Sequence, residues 1–190
     1  MKMSPRNIVL FTIAIVVGVY LGLRFPLIGL LCLLVGVALV AYVLLSNRQG
    51  NEVDPTTRAS ALAITPRDGM ARIYVARRGF VGGMQGMNIT IDGTFNGQIR
   101  SGYFMMAEVH PGDHELSARF LAQTEGTRIR HTFNLAAGEA VLFEMNFDMG
   151  ALQGKLRFDE LRDKRAMAAA LGQRKMIDWL NQPQLSTAAG

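Results

Sequence analysis

The sequence predicts a mainly β protein: an N-terminal two-helix transmembrane hairpin, an antiparallel β-sandwich of about seven strands and a C-terminal α-helix. Three observations predict it. Residues Ile8 to Leu45 are almost wholly apolar, apolar residues alternate with a period of two from Met70 onward, and a segment rich in Ala, Leu and Arg begins at Asp159. The predicted units are a transmembrane hairpin over 1–46, a linker over 47–69, a β-sandwich over 70–158, a helix over 159–182 and a disordered tail over 183–190.

Only Arg24-Phe25-Pro26 interrupts the apolar run. As one helix, at about 1.5 Å per residue, the run would extend roughly 57 Å, against about 30 Å for the hydrocarbon core of a bilayer. Two crossings fit better, one over about Ile8–Leu23 and one over about Leu27–Leu45, with Pro26 in the first turn of the second helix. A second apolar run follows the first at once with no small-residue cleavage site, which favours a retained hairpin over a signal peptide.

Basic residues near the spans predict the orientation. Lys2 and Arg6 precede the first span and Arg48 follows the second, whereas Arg24 stands alone in the turn. The positive-inside rule then places both ends of the hairpin in the cytoplasm. We therefore expect a multi-pass membrane protein with a cytoplasmic soluble domain, and a periplasmic domain is the alternative.

Small residues recur every four positions in the first predicted span, at Ala14, Gly18 and Gly22. Such a stripe lets two helix backbones approach closely in a membrane. We expect it to pack against the second span; the alternative is docking on another membrane protein.

The alternating region contains regular turn signals between its predicted strands. Asp92-Gly93, Pro111-Gly112 and Ala137-Gly138 separate segments such as Val141–Phe147, in which apolar and polar residues alternate. About seven short strands at regular spacing are typical of a β-sandwich. The following segment, Asp159 to Asn181, has helix-forming composition and ends before Pro183.

Partner contacts are predicted on exposed large side chains beside the sandwich. The glycine-rich segment from Gly79 to Gly86 precedes a predicted strand rather than a helix, so it is a connection or a binding rim and not a phosphate-binding loop. The candidate partner-binding residues are Phe80, Val81, Met84, Tyr103 and Trp179.

The charge distribution argues against nucleic-acid binding. Three of the 20 basic residues lie in the first 46 positions, which leaves 17 against 15 acidic residues in the remainder. Nucleic-acid binding requires a clustered basic surface, and the remainder is close to neutral. Seven arginines on or near the predicted strands would contact anionic lipid headgroups if they shared one face, and otherwise form a scattered solvated surface: Arg72, Arg77, Arg78, Arg100, Arg119, Arg128 and Arg130.

Several strand and turn motifs resemble a known bacterial family. They are Arg72-Ile73-Tyr74-Val75, Arg78-Gly79-Phe80-Val81-Gly82-Gly83, Ile91-Asp92-Gly93, Ser101-Gly102-Tyr103-Phe104 and Pro111-Gly112-Asp113-His114. Over about residues 70–150 they are similar to a domain-of-unknown-function family of small envelope β-sandwich domains, PEGA-like and often lipoproteins. The resemblance implies an envelope β-sandwich without assigned activity or catalytic residues. The two predicted spans and the lack of a lipoprotein cysteine motif around Cys32 depart from the lipoprotein members.

No catalytic motif accompanies these features. His110 and His114 flank a Pro-Gly turn and would reach zinc with a neighbouring carboxylate, or would simply be exposed turn residues. We predict no enzyme activity and no cofactor or metal. The predicted function is a membrane-anchored interaction module of the bacterial inner membrane, an accessory subunit of a larger membrane complex. Its predicted partners are membrane lipid and a protein partner or a second copy. The alternative is an envelope sensor that binds a ligand or a lipid.

Overall fold

The structure is a computed structural model that describes residues 18, 20, 22, 24–45, 50–79, 86–120, 127–149 and 154–182. The chain divides into two compact units, residues 1–46 and 47–190. The helices are α1 (Pro26–Leu45), α2 (Pro55–Leu62) and α3 (Lys164–Gly172). The strands are β1 (Ala71–Arg77), β2 (Met87–Ile91), β3 (Phe95–Ile99), β4 (Tyr103–Val109), β5 (Gly112–Phe120), β6 (Ile129–Leu135), β7 (Ala140–Met149), β8 (Gly154–Leu161) and β9 (Lys175–Met176).

The first unit contains α1, which begins at Pro26 because a proline at the first helical position loses no helix hydrogen bond. Gly22 is also helical, and Phe25 is not. A Cβ atom added to Gly29 would lie 2.9 Å from the Gly22 Cα atom, so the two backbones nearly touch and the chain folds back between them. None of the helices in the described part of the chain is long and apolar enough to cross a membrane.

The second unit consists mainly of strands in two sheets. The five-stranded sheet has the order β8-β7-β1-β4-β9, and the four-stranded sheet has the order β3-β2-β5-β6. The Asp92-Gly93 turn joins β2 to β3, and both residues have positive φ angles, 51° and 69°, as a hairpin turn of this kind requires. The predicted β-rich domain with regularly spaced turns is confirmed at this level.

Two apolar cores hold the layers together. The larger lies between the two sheets and includes Ile73 and Val75 from β1 with Ile89 from β2. The smaller lies on the other face of the five-stranded sheet, where Tyr74 of β1 packs with residues of α2 and α3 such as Leu171. Strand β1 is therefore buried along its whole length, because side chains on both of its faces are covered.

Parts of the predicted fold are wrong. The sheets are not purely antiparallel, because β1 pairs with β7, and β4 with β9, in parallel. The helix predicted over 159–182 is confined to Lys164–Gly172; the preceding residues extend β8, and the following ones form β9. Pairing with β7 and β4 outweighs the helix-forming composition of these flanks.

The predicted linker over 47–69 also contains ordered structure. Asp54 caps α2 by accepting hydrogen bonds from the backbone N–H groups of Thr56 and Thr57, each at 3.0 Å, and Pro55 follows at the first helical position. Ala61 is fully buried in the smaller core. This segment is therefore an integral part of the domain.

Candidate functional site

The main candidate site is a surface pocket at the end of β1. It has a volume of about 440 Å³ and is enclosed by the end of β1, the turn before β4, β7 and the end of α3. Arg77 lines the pocket but directs its side chain to the opposite face of the sheet, toward Phe120, so the charged side chains on the pocket side are Arg78, Arg174 and Glu144. The lining residues that the argument uses are Arg77, Arg78, Glu144 and Arg174.

The parallel pairing of β1 with β7 places Glu144 in this pocket. Glu144 lies opposite Ala76, and Ala76 belongs to the smaller core beneath the helices. Because strand side chains alternate between faces, Glu144 lies on the helix-covered face of the sheet. It is buried, and its Oε1 atom accepts a hydrogen bond from Arg174 Nη2 at 2.6 Å, while its Oε2 atom lies 3.8 Å from Arg78 Nη1.

Arg58 of α2 positions the segment that carries Arg174. Its guanidinium donates to the backbone oxygens of Gly172, at 2.8 Å, and Arg174, at 2.9 and 3.2 Å. These bonds satisfy carbonyl groups that the end of α3 leaves unpaired. Arg58 thereby holds the C-terminal end of α3 and Arg174 in place.

Next to the pocket, Arg77 places a buried positive charge on the opposite face of β1, in the larger core. The Arg77 side chain is only 2% exposed, and its guanidinium lies 5.1 Å from the centre of the Phe120 ring. Burial lowers the pKa of Arg77 to about 10, because the charged form loses hydration. The Nη1 atom of Arg174 is also buried and has no hydrogen-bond partner among the described residues. On the pocket side, the donors are the guanidinium groups of Arg78 and Arg174, and Glu144 accepts from Arg174.

The two histidines that flank the Pro-Gly turn, weighed above as zinc ligands or exposed turn residues, contact other groups. His114 Nδ1 lies 2.7 Å from Asp92 Oδ2, and His114 Nε2 lies 2.9 Å from the backbone oxygen of His110. Both ring nitrogens are therefore engaged and neither can ligate zinc in this geometry. In the described ranges, no three His, Cys, Asp or Glu side chains are grouped so that they could hold a metal ion.

The structure describes two of the five predicted partner-binding residues, Tyr103 and Trp179. Phe80, Val81 and Met84 lie outside the described residues. Tyr103 is half-buried against the larger core. The prediction for Trp179 is wrong, because its side chain is buried in that core, where Nε1 donates to the backbone oxygen of Met106 at 2.7 Å.

The predicted small-residue stripe is described only in part. Ala14 lies outside the described residues, Gly18 has open space around it, and Gly22 is the residue that approaches Gly29.

Sequence reasoning named Arg77 and Arg78 but missed the pocket. It placed Arg174 within a long helix and gave Glu144 no partner. The parallel β1–β7 pairing that brings these residues together spans most of the domain and has no local sequence signal. No protein-family model matches the chain, and no curated protein matches it.

Proposed function

We propose that this chain is a membrane-anchored, non-enzymatic interaction module that serves as an accessory subunit of a larger membrane complex. The N-terminal unit anchors it in the bacterial inner membrane, and the β-rich domain binds a protein partner on the cytoplasmic side. The resemblance to PEGA-like envelope domains, which we also retain as a proposal, agrees with such a role.

The anchor is supported by the sequence together with the surface of α1. The apolar run extends from Ile8 to Leu45, and about a third of it lies outside the described residues. Within α1, large apolar side chains such as Leu27 and Val40 are exposed. A contiguous apolar surface of this kind is unfavourable in water and favourable in lipid.

The single observation that carries the partner-binding proposal is the open edge at β8. On the far side of the five-stranded sheet, residues before α2 cover β9, with an isolated bridge between Glu52 and Ile177. The edge of β3 in the other sheet is bridged by Asn181. By contrast, two edge strands have a single strand neighbour among the described residues: β6, with seven residues, and β8, which is longer with eight. An open edge of this length can accept a strand from a partner.

Site-specific photocrosslinking in native membranes tests this proposal. A photoreactive residue replaces Arg157 on β8, and in a matched control it replaces Lys175 on the covered β9; the two side chains are 60% and 65% exposed. We expect a discrete protein adduct from position 157 and none from position 175. Equal adducts from both positions, or none from either, would contradict partner binding at β8.

Reporter fusions after Gly190 test the proposed location separately. Activity of a reporter that works only in the cytoplasm is expected, because a hairpin returns the chain to the side on which it started. Activity of a reporter that works only in the periplasm would overturn the cytoplasmic placement and leave the anchor itself in place.

The second candidate function, a sensor that binds a ligand or a lipid, is favoured by the arginine-lined pocket.

A further inference from the structure

The backbone groups of every second residue of β8 point away from β7. The backbone N–H of Arg78 donates to the backbone oxygen of Met145 at 3.0 Å, so the backbone groups of Met145 point toward β1. Phe158 lies opposite Met145 in the antiparallel register, and this pair therefore exchanges no hydrogen bonds. Because the direction alternates along a strand, the N–H and C=O groups of Leu156, Phe158 and Glu160 all point to the open edge.

These outward groups remain available for another strand. In the described part of the chain, no backbone hydrogen bond outside the β7–β8 pairing reaches Leu156, Phe158 or Glu160. The edge of β6 is partly occupied by comparison, since Arg162 Nη2 donates to the backbone oxygen of Asn134 at 3.3 Å. Unpaired backbone groups along a strand edge are a template for strand addition.

Two copies of β8 are complementary when they pair antiparallel about a two-fold axis at Phe158. Outward residues then meet outward residues, because Phe158 faces its own copy and Leu156 faces Glu160 of the other chain. On the other face of the strand, Arg157 of each copy lies directly opposite Asp159 of the other. Opposite charges at directly facing positions stabilise a strand pair.

The charges also select this register. Moving the two-fold axis by one residue to Arg157 would place two arginines opposite each other, and moving it to Asp159 would place two aspartates opposite each other. Within one chain, Arg157 Nε donates to Asp159 Oδ1 at 2.9 Å, and the two side chains are 60% and 36% exposed. The pair is therefore accessible to the same pair of a second copy, with which it would form an alternating group of four charges.

Apolar side chains at the edge add to the complementarity. Leu156 and Phe158 are half-buried and pack at the margin of the larger core. In a hydrogen-bonded antiparallel pair the Cα atoms lie about 5.5 Å apart, so the two Phe158 rings would contact each other and cover their exposed parts.

We propose that the partner of β8 is a second copy of this chain, paired antiparallel about Phe158. This inference rests on the proposed function, because it names the partner for the edge that we assign to partner binding. A two-fold interface is complete with two copies, so the pairing removes the open β8 edge from both chains.

Energy transfer between full-length chains in detergent micelles tests the pairing. Donor and acceptor dyes are attached after Gly190, and transfer is followed on dilution. Arg157→Glu places acidic side chains opposite each other at both facing pairs, and Asp159→Arg does the same with basic side chains. We expect each variant alone to associate about ten-fold more weakly than the wild type, because two attractive pairs become repulsive.

Mixing the two variants restores opposite charges at both pairs, because each acidic side chain of one chain then faces a basic side chain of the other. We expect the mixture, and also the double variant Arg157→Glu/Asp159→Arg, to associate within about three-fold of the wild type. The control Arg130→Glu changes an arginine of β6 that is 66% exposed and should associate within about two-fold of the wild type.

Absence of transfer between wild-type chains would overturn the self-pairing, and so would equal transfer in all variants or no recovery in the mixture. The photocrosslinking at position 157 separates this outcome from failure of the proposed function. An adduct of twice the chain mass would support the self-pairing, whereas an adduct with a different protein would overturn it and leave partner binding at β8 in place.

Discussion

Two similar ion clusters lie beside β1, one near each end of the strand, and each contains a buried glutamate and two arginines. They differ in how many of their hydrogen-bonding groups have a partner. Near the start of β1, Glu108 accepts from Arg72 at 2.9 Å through Oε1, and Arg67 lies 2.9 Å from Oε2. Near its end, Glu144 pairs with Arg174 and lies near Arg78 beside the pocket.

The difference lies in what the remaining donors contact. In the cluster around Glu108, Arg72 Nη1 donates to the backbone oxygen of Ser60 at 3.3 Å, and the backbone N–H of Arg67 donates to Glu108 Oε1 at 3.3 Å. In the cluster around Glu144, Arg174 Nη1 has no partner within the described ranges. An ion cluster whose groups are paired within the domain stabilises the fold, whereas a cluster with an unpaired donor beside a pocket is able to bind a ligand. The comparison therefore separates a structural site from a candidate binding site with the same side-chain chemistry.

The largest expected effect is the removal of the glutamate charge from the cluster around Glu108. Glu108→Gln leaves Arg72 buried without its counter-charge, and we expect a loss of about 3 kcal/mol in the free energy of unfolding. Glu144→Gln should cost about half as much, because Glu144 makes one ion pair shorter than 3 Å, with Arg174, whereas Glu108 makes two. Urea unfolding of the full-length chain in detergent, followed by Trp179 fluorescence, measures both. A larger loss for Glu144→Gln would reverse the comparison.

Tyr74 tests how tightly the face of β1 beneath the helices is closed. Its hydroxyl donates to the backbone oxygen of Ala61 at 2.6 Å, and the side chain is fully buried. Tyr74→Phe leaves that carbonyl unsatisfied, so we expect a loss of about 1–2 kcal/mol. The control Tyr103→Phe, which removes a hydroxyl without a hydrogen-bond partner in the described part of the chain, should change the same urea midpoint little. Equal losses would contradict the assignment.

Alkaline pH sharpens the same test. Burial raises the pKa of Tyr74 above its ordinary value of 10.0, because the phenolate would lose hydration. The folded state therefore holds this proton more strongly than the unfolded state. The stabilisation is fully present below pH 10 and is lost as the pH rises through the folded-state pKa.

Above pH 10 we thus expect the wild type to lose stability faster than Tyr74→Phe in urea unfolding. Arg77, whose pKa burial lowers to about 10, is present in both proteins and cancels in the comparison. Parallel pH profiles for the two proteins would show that Tyr74 is not the titrating group.

The smallest expected effect comes from the two exposed arginines. Arg67 and Arg78 have equally exposed side chains, 67% each, but lie 2.9 and 3.8 Å from their glutamates. Each Gln variant should lose less than about 1 kcal/mol, with the greater loss at Arg67 and both losses reduced by salt. Urea unfolding at low and high salt measures this, and a salt-independent loss at Arg78 would indicate a packing role instead.

Local patterns predicted much of the strand content. Alternation identified the region of β7, and Asp92-Gly93 identified the hairpin between β2 and β3, because both signals depend on residues close in sequence. Helix α2 was predictable in principle, since Asp54-Pro55 is a strong helix start. The prediction of a linker over 47–69 gave more weight to the prolines and small polar residues of this segment than to the helix-start signal at Asp54-Pro55.

The failures involve residues that depend on distant partners. Trp179 was predicted as an exposed contact residue, but its side chain packs in the core against Gly97. A Cβ atom added to Gly97 would lie 2.9 Å from the indole Cε3 atom of Trp179. The helix predicted around it is replaced by β9, which pairs with β4. Neither outcome follows from the neighbouring sequence, because both depend on space left by other strands.

The sequence by itself determined the apolar N-terminal run, the β-rich character of the domain and most of its turns, because periodicity, glycine and proline act over a few residues. Only the tertiary structure decided that β1 is covered on both faces, that one glutamate cluster is paired within the domain, and that Arg174 meets Arg78 and Glu144 beside a pocket. Those outcomes depend on parallel pairing and on the packing of α2 and α3, which join residues far apart in the chain.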